Sequence, residues 1–145
     1  MSTIPGITTG TEITPARAAV TASTDDGNVP DNTVDNNLST RWSGSGDGAT
    51  LTLDLGAART VDYLKIAMYR GDERRNRLEI QLSNDGTTWA SVWRGESTGL
   101  TLAEEIYDVP DQSARYIRYV GHGATINAGG TSTWNSVTEI SVFAP

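Results

Sequence analysis

ATLTLDLG, residues 49–56, puts Ala49, Leu51, Leu53 and Leu55 at every second position, with Thr50, Thr52 and Asp54 between them. Successive side chains of a strand point to opposite faces, so this period of two describes a strand with one face buried and one wet. Working outward, Val61 to Tyr69 repeats the pattern, with Leu64, Ile66 and Met68 on one side and Tyr63, Lys65, Ala67 and Tyr69 on the other. Leu78, Ile80 and Leu82 do so again. Asn84-Asp85-Gly86 suits a tight hairpin turn, because these residues tolerate the left-handed backbone such a turn needs. Trp89–Trp93, Glu105–Val109, Ala114–Val120, Val137–Phe143 and an early Arg17–Ser23 read as further strands, with Gly56 turning the chain between two of them. About eight short strands without a sustained helical period predict an all-β fold, a jelly-roll β-sandwich.

Composition narrows the function. The 145 residues suit one domain; residues 1–16, rich in Thr and Pro, read as a linker or lead-in, and 17–145 as the domain. There is no Cys, which removes thiol chemistry and Cys-based metal sites and is compatible with bacterial secretion. No apolar run nears the ~20 residues that span a bilayer. A net charge of −7 argues against a surface that neutralises a phosphate array, so no nucleic acid is expected as a partner. Within this acidic chain lie ten arginines against one lysine, Lys65, and Arg70, Arg74, Arg75 and Arg77 share one short segment. The planar guanidinium fork matches carboxylates and sugar oxygens.

Three further segments carry a resemblance: DNTVDNNLSTRWS at 31–43 with LDLG at 53–56, SNDGTTW at 83–89, and ARYIRYVGHG at 114–123. Together they resemble the discoidin, or factor V/VIII type C, domain in the form used by family 32 carbohydrate-binding modules. DDGNVP, Tyr69-Arg70-Gly71-Asp72 and Trp134-Asn135-Ser136 are similar to the subgroup attached to bacterial polysaccharide-degrading enzymes. The resemblance implies a secreted, extracellular, monomeric and non-catalytic module, detached from the catalytic domain of a parent enzyme. It also implies a structural calcium, Ca²⁺, held by an Asp-x-x-x-x-Thr loop and a Glu of the last strand. Carried over residue by residue, the ligands are the Asp35 carboxylate, the Thr40 hydroxyl and carbonyl, the Asn32 and Asn37 carbonyl oxygens, the Thr138 carbonyl and the Glu139 carboxylate. These are hard oxygen donors of the kind calcium takes. Asn36 and Asn37 depart from the family's common residues, and Asp and Asn in such a loop also serve simply as turn formers.

Sugar binding in water needs hydrogen-bonding forks for hydroxyls or carboxylates and an aromatic plate for the C–H face of a pyranose. Tyr69, Arg70, Asp72, Arg74 and Arg75 follow one strand end, His122 lies between two glycines after another, and Trp134 and Asn135 precede the last. Arg41 and Asp26 reach the same rim in this reading. Trp42 and Trp89 are assigned to the core, Trp134 fits either core or plate, and Arg74-Arg75 reads equally as a solvated charge pair. The predicted ligand is a polysaccharide or oligosaccharide, acidic and uronate-containing, such as alginate. Two rivals stand beside it. Tyr69, His122, Arg70 and Asn135 are residue types that serve a polysaccharide lyase, which abstracts a proton next to a uronate carboxylate. An adhesion module for a protein or membrane is the other; its membrane form is disfavoured by loop tips of Asp, Asn, Gly, Arg and Thr, with no exposed apolar spike expected.

Overall fold

The computed structural model describes residues 10–145; residues 1–9, most of the segment read as a lead-in, lie outside the described residues. The elements are β1 (Thr11–Glu12), β2 (Val20–Ala22), β3 (Trp42–Ser45), β4 (Ala49–Met68), β5 (Arg74–Ser83), β6 (Ala90–Glu96), β7 (Glu105–Ile126), β8 (Thr131–Ser132) and β9 (Trp134–Ala144), with 3-10 turns at Arg17–Ala19 and Pro30–Val34. The sheet order is β1-β9-β4-β7-β5-β6, with β2 on β4, β3 on β9 and β8 on β7. The predicted all-β sandwich is what is seen.

Two expected breaks are absent. Gly56 does not end a strand: β4 runs unbroken for 20 residues, and β7 for 22 joins the predicted Glu105–Val109 and Ala114–Val120. The reason lies in pairing across the irregular stretch. Ala49–Asp54 pair with Gly121–Tyr116, the register slips at a bulge, and Arg59–Val61 then pair with Ala114–Gln112. Gly56, at φ 84°, supplies the left-handed residue where this bend forms. Because β4 and β7 pass through such bends, one continuous sheet folds over itself. The first half of β4 joins β2, β7 and β5 in one layer, and its second half joins β9 in the other.

Between the layers lies one core. Leu51, Leu53, Ile66, Ile80, Ile117, Tyr119, Val137 and Ile140 are buried, as the period-two pattern requires. Trp42 fills its centre, edge-on to Tyr119 at 6.2 Å, and its indole N–H donates to the Thr24 carbonyl at 2.9 Å, so the largest core side chain carries no unpaired donor. Trp89 differs from expectation. It precedes β6, is half-buried on the outer face, and lies under the Arg118 guanidinium at 3.9 Å with Tyr116 against its edge. The Arg17–Ser23 strand is reduced to a 3-10 turn and three paired residues. Thr11 and Glu12, part of the segment read as lead-in, pair with the end of β9.

Strand direction sorts the loops. β4 ends and β5 begins at one rim, which also carries the β3–β4 turn and the start of β9. The Asn84-Asp85-Gly86 turn sits at the other end, where Asp85 accepts the backbone N–H groups of Thr87 and Thr88 at 2.9 and 2.8 Å.

Candidate functional site

Tyr69 is the first residue beyond β4, and its N–H donates to the Ser136 carbonyl at 3.2 Å, which seats it beside β9. Three guanidinium groups surround its ring: Arg41 at 4.1 Å from the centroid, Arg70 at 5.4 Å and Arg74 at 5.9 Å. All lie within the ~6 Å over which a ring quadrupole attracts a cation. They come from separate places. Arg41 precedes β3, Arg70 occupies the turn after β4 with φ 52°, and Arg74 opens β5. Arg41 is held by its own bond, Nε to Ser43 Oγ at 2.8 Å, and Ser43 Oγ in turn meets Ser136 Oγ at 2.8 Å. Among the described residues none of the three arginines makes an ion pair.

The face extends both ways from this ring. Ser43 pairs with Ser136 and Ser45 with Trp134, so Trp134 lies on the Arg41 side one step along β9. At 40% exposure it is a surface plate and not a core residue. Asp26 donates its N–H to the Ser43 carbonyl at 3.1 Å. Hydrogen bonds from the Asn28 backbone and side chain, aided by the Arg41 charge, hold the Asp26 carboxyl below the usual range, so it stays an acceptor.

Three of the sequence-predicted sugar contacts, Asn135, His122 and Arg75, stand apart from this group. Asn135 has no exposed surface: its Oδ1 accepts Gly123 N–H at 2.8 Å, and its Nδ2 donates to the Gly44 and Gly46 carbonyls at 3.0 and 2.9 Å. It is an inward residue of β9 that ties rim loops from beneath, and a side chain at Gly121 would collide with it. His122 lies on the outer face of the layer containing β5, bonded at Nδ1 to Asp47 and at Nε2 to Glu79 at 2.9 Å. The hydrogen bond to Asp47 raises its pKa, against partial burial, with Glu79 assisting. Arg94 and then His122 lower Glu79 to about 2. Arg75 follows Arg74 on the opposite side of the strand and packs on Gly99, where a Cβ would come within 2.7 Å of its Cγ. Asp72 is exposed on the turn and engages its neighbours through its carbonyl, which accepts Asn127 Nδ2 at 3.3 Å. With His122 on another face and Asn135 sealed, the quartet that a lyase reading requires does not assemble around Tyr69.

The oxygen-rich loop behaves as a second unit. The 3-10 turn Pro30–Val34 delivers Asp35 to β9, where Asn37 N–H donates to both Asp35 Oδ1 at 2.9 Å and Glu139 Oε1 at 3.2 Å. Thr40 Oγ1 donates to Asp35 Oδ2 and to the Asn37 carbonyl. Asp35, Asn37, Thr40 and Glu139 are thus brought together. Asn32 stands at the edge, its Nδ2 on the Arg41 carbonyl at 3.0 Å and its Oδ1 3.4 Å from Arg17, which leaves only its backbone oxygen for the predicted role. Thr138 sits at a bulge of β9 with its hydroxyl buried and unbonded. Burial, and then the Asp35 carboxyl, push Glu139 up to about 8. Burial would raise Asp35 too, but hydrogen bonds from Thr40, Glu139 and the Asn37 N–H outweigh it and keep Asp35 low. Two acids pressed together, one of them buried, form a site that a hard cation would relieve. Among the described residues no three His, Cys, Asp or Glu side chains are placed to hold a metal ion together, so a cation here would rely on two carboxylates and neutral oxygens.

Sequence reasoning missed other rim residues. Ser43 and Ser136 close two of the segments that carry the resemblance, which assigns them no role; that role appears only once β3 and β9 pair. Leu100, 80% exposed, and Leu102, 54% exposed, project from the β6–β7 loop, so the loop tips are not all polar as expected.

Residues 18–140 match the F5/8 type C domain family. Among solved structures, the CBM32 of AlyQ in complex with 4,5-unsaturated mannuronic acid is 46% identical, covering 88% of this chain and 95% of that one, with a TM-score of 0.82. A pectin-binding carbohydrate-binding module is 29% identical over 86% of this chain and 88% of that one, TM-score 0.77. A galactose oxidase of Gibberella zeae is 32% identical over 92% of this chain; the chain spans about a fifth, 21%, of that curated relative's length.

Proposed function

The chain belongs to the F5/8 type C domain family, and from that premise we propose that it is a non-catalytic carbohydrate-binding module whose ligand is an acidic, uronate-containing polysaccharide such as alginate. The observation that carries the acidic ligand is the triad of Arg41, Arg70 and Arg74 around Tyr69, none of which makes an ion pair among the described residues, in a protein of net charge −7. Clustered guanidinium groups that make no ion pair within the protein are best matched by an anion from outside. The ring offers a plate for the pyranose C–H face, the forks take the C6 carboxylate, and Asp26 accepts from a hydroxyl. Trp134 extends the plate toward a second sugar unit. The AlyQ module with its unsaturated mannuronate and the pectin-binding module support a uronate ligand.

The oxygen-lined loop fits a structural calcium held by Asp35, Glu139, Thr40 and the carbonyls of Asn32, Asn37 and Thr138. When bound, calcium supplies charge neutralisation and a cross-link between the 30–40 loop and β9. The chain's own residues already draw that loop to the strand through Asn37 N–H, so the metal's contribution is stability of the rim and no step of chemistry. The galactose oxidase likeness, in which this chain matches a fifth of a longer protein, supports the reading that the module accompanies a catalytic domain. No helix among the described residues is long and apolar enough to cross a membrane.

Affinity electrophoresis in calcium, comparing alginate and pectate with neutral galactans and glucans at low and high salt, tests the proposal. Retardation by the acidic gels that fades with salt is expected. Retardation by neutral gels alone would overturn the acidic ligand and leave the module.

A further inference from the structure

The three arginines of the rim are not held alike. Arg41 is anchored by Ser43, whereas the Nε of Arg74 is buried and unbonded among the described residues, and Arg70 stands on an exposed left-handed turn residue. The positions of Arg70 and Arg74 therefore depend on the backbone between them. Within that turn Glu73 N–H and Arg74 N–H both donate to the Arg70 carbonyl, at 2.9 and 3.2 Å. Its outward carbonyls, Asp72 and Glu73, face a single residue, Asn127.

Asn127 donates its N–H to the Glu73 carbonyl at 2.9 Å and its Nδ2 to the Asp72 carbonyl at 3.3 Å. The same Nδ2 donates to the Gly99 carbonyl at 2.8 Å. One asparagine thus joins the β4–β5 turn, the β6–β7 loop and its own turn after β7. The fit is close: Gly99 has φ 72°, and a Cβ there would lie 3.0 Å from Asn127 Oδ1. A Cβ at Gly71 would collide with the Thr101 carbonyl, a second point where the same two loops interlock. A charged fork recognises a carboxylate only when its plane is preset, since ordering it on binding costs rotamer entropy.

We propose that Asn127 is the positioning residue of the binding rim, fixing Arg70 and Arg74 on the Tyr69 ring while leaving Arg41 independent. This rests on the Tyr69 cluster being the sugar site. The control is Asn84, whose Nδ2 bonds the Ser113 carbonyl at 3.3 Å at the other end of the molecule. Asn127→Ala is expected to weaken binding of alginate oligosaccharides by roughly tenfold, as loss of preset charge-assisted contacts predicts, while Asn84→Ala leaves it unchanged at a similar melting temperature. In double-mutant cycles Arg74→Ala should add little on top of Asn127→Ala, and Arg41→Ala should add its full effect. Wild-type affinity in Asn127→Ala, or full additivity with Arg74→Ala, would overturn the proposal. A ligand-free measurement separates this from the sugar reading: Asn127→Ala removes the two Nδ2 bonds and keeps the backbone bond to Glu73, and the Arg74 Nε–H resonance, shifted by the Tyr69 ring current, should move in Asn127→Ala but not in Asn84→Ala. If it stays in place the clamp is refuted whatever the module binds; if it moves while the wild type ignores uronates, only the sugar reading falls.

Discussion

Arg41→Lys separates geometry from charge at the rim. The lysine keeps the positive charge but loses the planar fork that lies 4.1 Å over Tyr69 and donates to Ser43 at 2.8 Å. A cation–π contact at a partly exposed site is worth about 0.5–1 kcal/mol, and one hydrogen bond to a charged ligand group about 1.5–3 kcal/mol. Lysine retains part of each, so a net loss of about 1–2 kcal/mol is expected, which is roughly 5- to 30-fold in affinity at 1.4 kcal/mol per decade. Arg41→Ala should lose more and should also flatten the salt dependence, because a charge has gone. Titration calorimetry with alginate oligosaccharides at two salt concentrations reads both quantities, and thermal melting should show neither variant unfolded. Unchanged affinity in Arg41→Ala would refute the arginine-centred site. Affinity equal to wild type in Arg41→Lys would refute the part played by the fork and leave only charge.

Three other outcomes follow from the geometry. Chelation should lower the melting temperature of the wild type and not of Glu139→Gln; calcium at a hundredfold excess over its dissociation constant would stabilise the fold by about 2.7 kcal/mol, roughly 10 °C for a domain of this size, and an equal response in both proteins would remove the metal from Glu139. His122 has a raised pKa, so its bonds to Asp47 and Glu79 stabilise the fold fully below the ordinary histidine pKa and are lost as pH rises through the folded value; denaturant unfolding should show His122→Gln costing more at pH 6 than at pH 8, and a cost independent of pH would contradict this. Leu51→Ala, at a site with no exposure, should destabilise by about 2–5 kcal/mol in the same assay without changing relative preference among glycans; a cost under 1 kcal/mol would mean that this core position repacks freely.

What could be read from the sequence was whatever depends on local period or local spacing. Leu51, Leu53, Leu78 and Ile80 announce their buried face by alternation alone, and Tyr69, Arg70 and Arg74 are near neighbours along the chain. The residues misjudged are those whose role depends on which strand lies beside them. Asn135 and Trp134 are adjacent in sequence yet face opposite ways, so naming both for the sugar could not be right in a strand. His122 belongs to the layer containing β5, a fact carried by its pairing and not by its flanking glycines. Gly56 reads as a turn because glycine normally stops a strand, and only the resumed pairing at Arg59–Ala114 shows it as a bend. Asn127 has no signature at all, since its partners are carbonyls of residues 28 and 55 positions away.

The two candidate sites are joined through Arg41. The oxygen-lined loop ends at Thr40, and the next residue places its guanidinium on Tyr69. Asn32, from the turn that presents Asp35, donates to the Arg41 carbonyl at 3.0 Å. On the other side Ser136, whose hydroxyl meets Ser43 and whose carbonyl receives Tyr69 N–H, lies three residues before Glu139 on β9. The loop therefore grips the Tyr69 ring from one side through Arg41, and the turn held by Asn127 grips it from the other through Arg70 and Arg74. A ring clasped by two separately anchored arms keeps its charge arrangement only while both anchors hold. Release of the Asp35–Thr40 loop from Glu139 therefore reaches the rim through Arg41, whereas loss of the Asn127 bonds reaches it through Arg70 and Arg74.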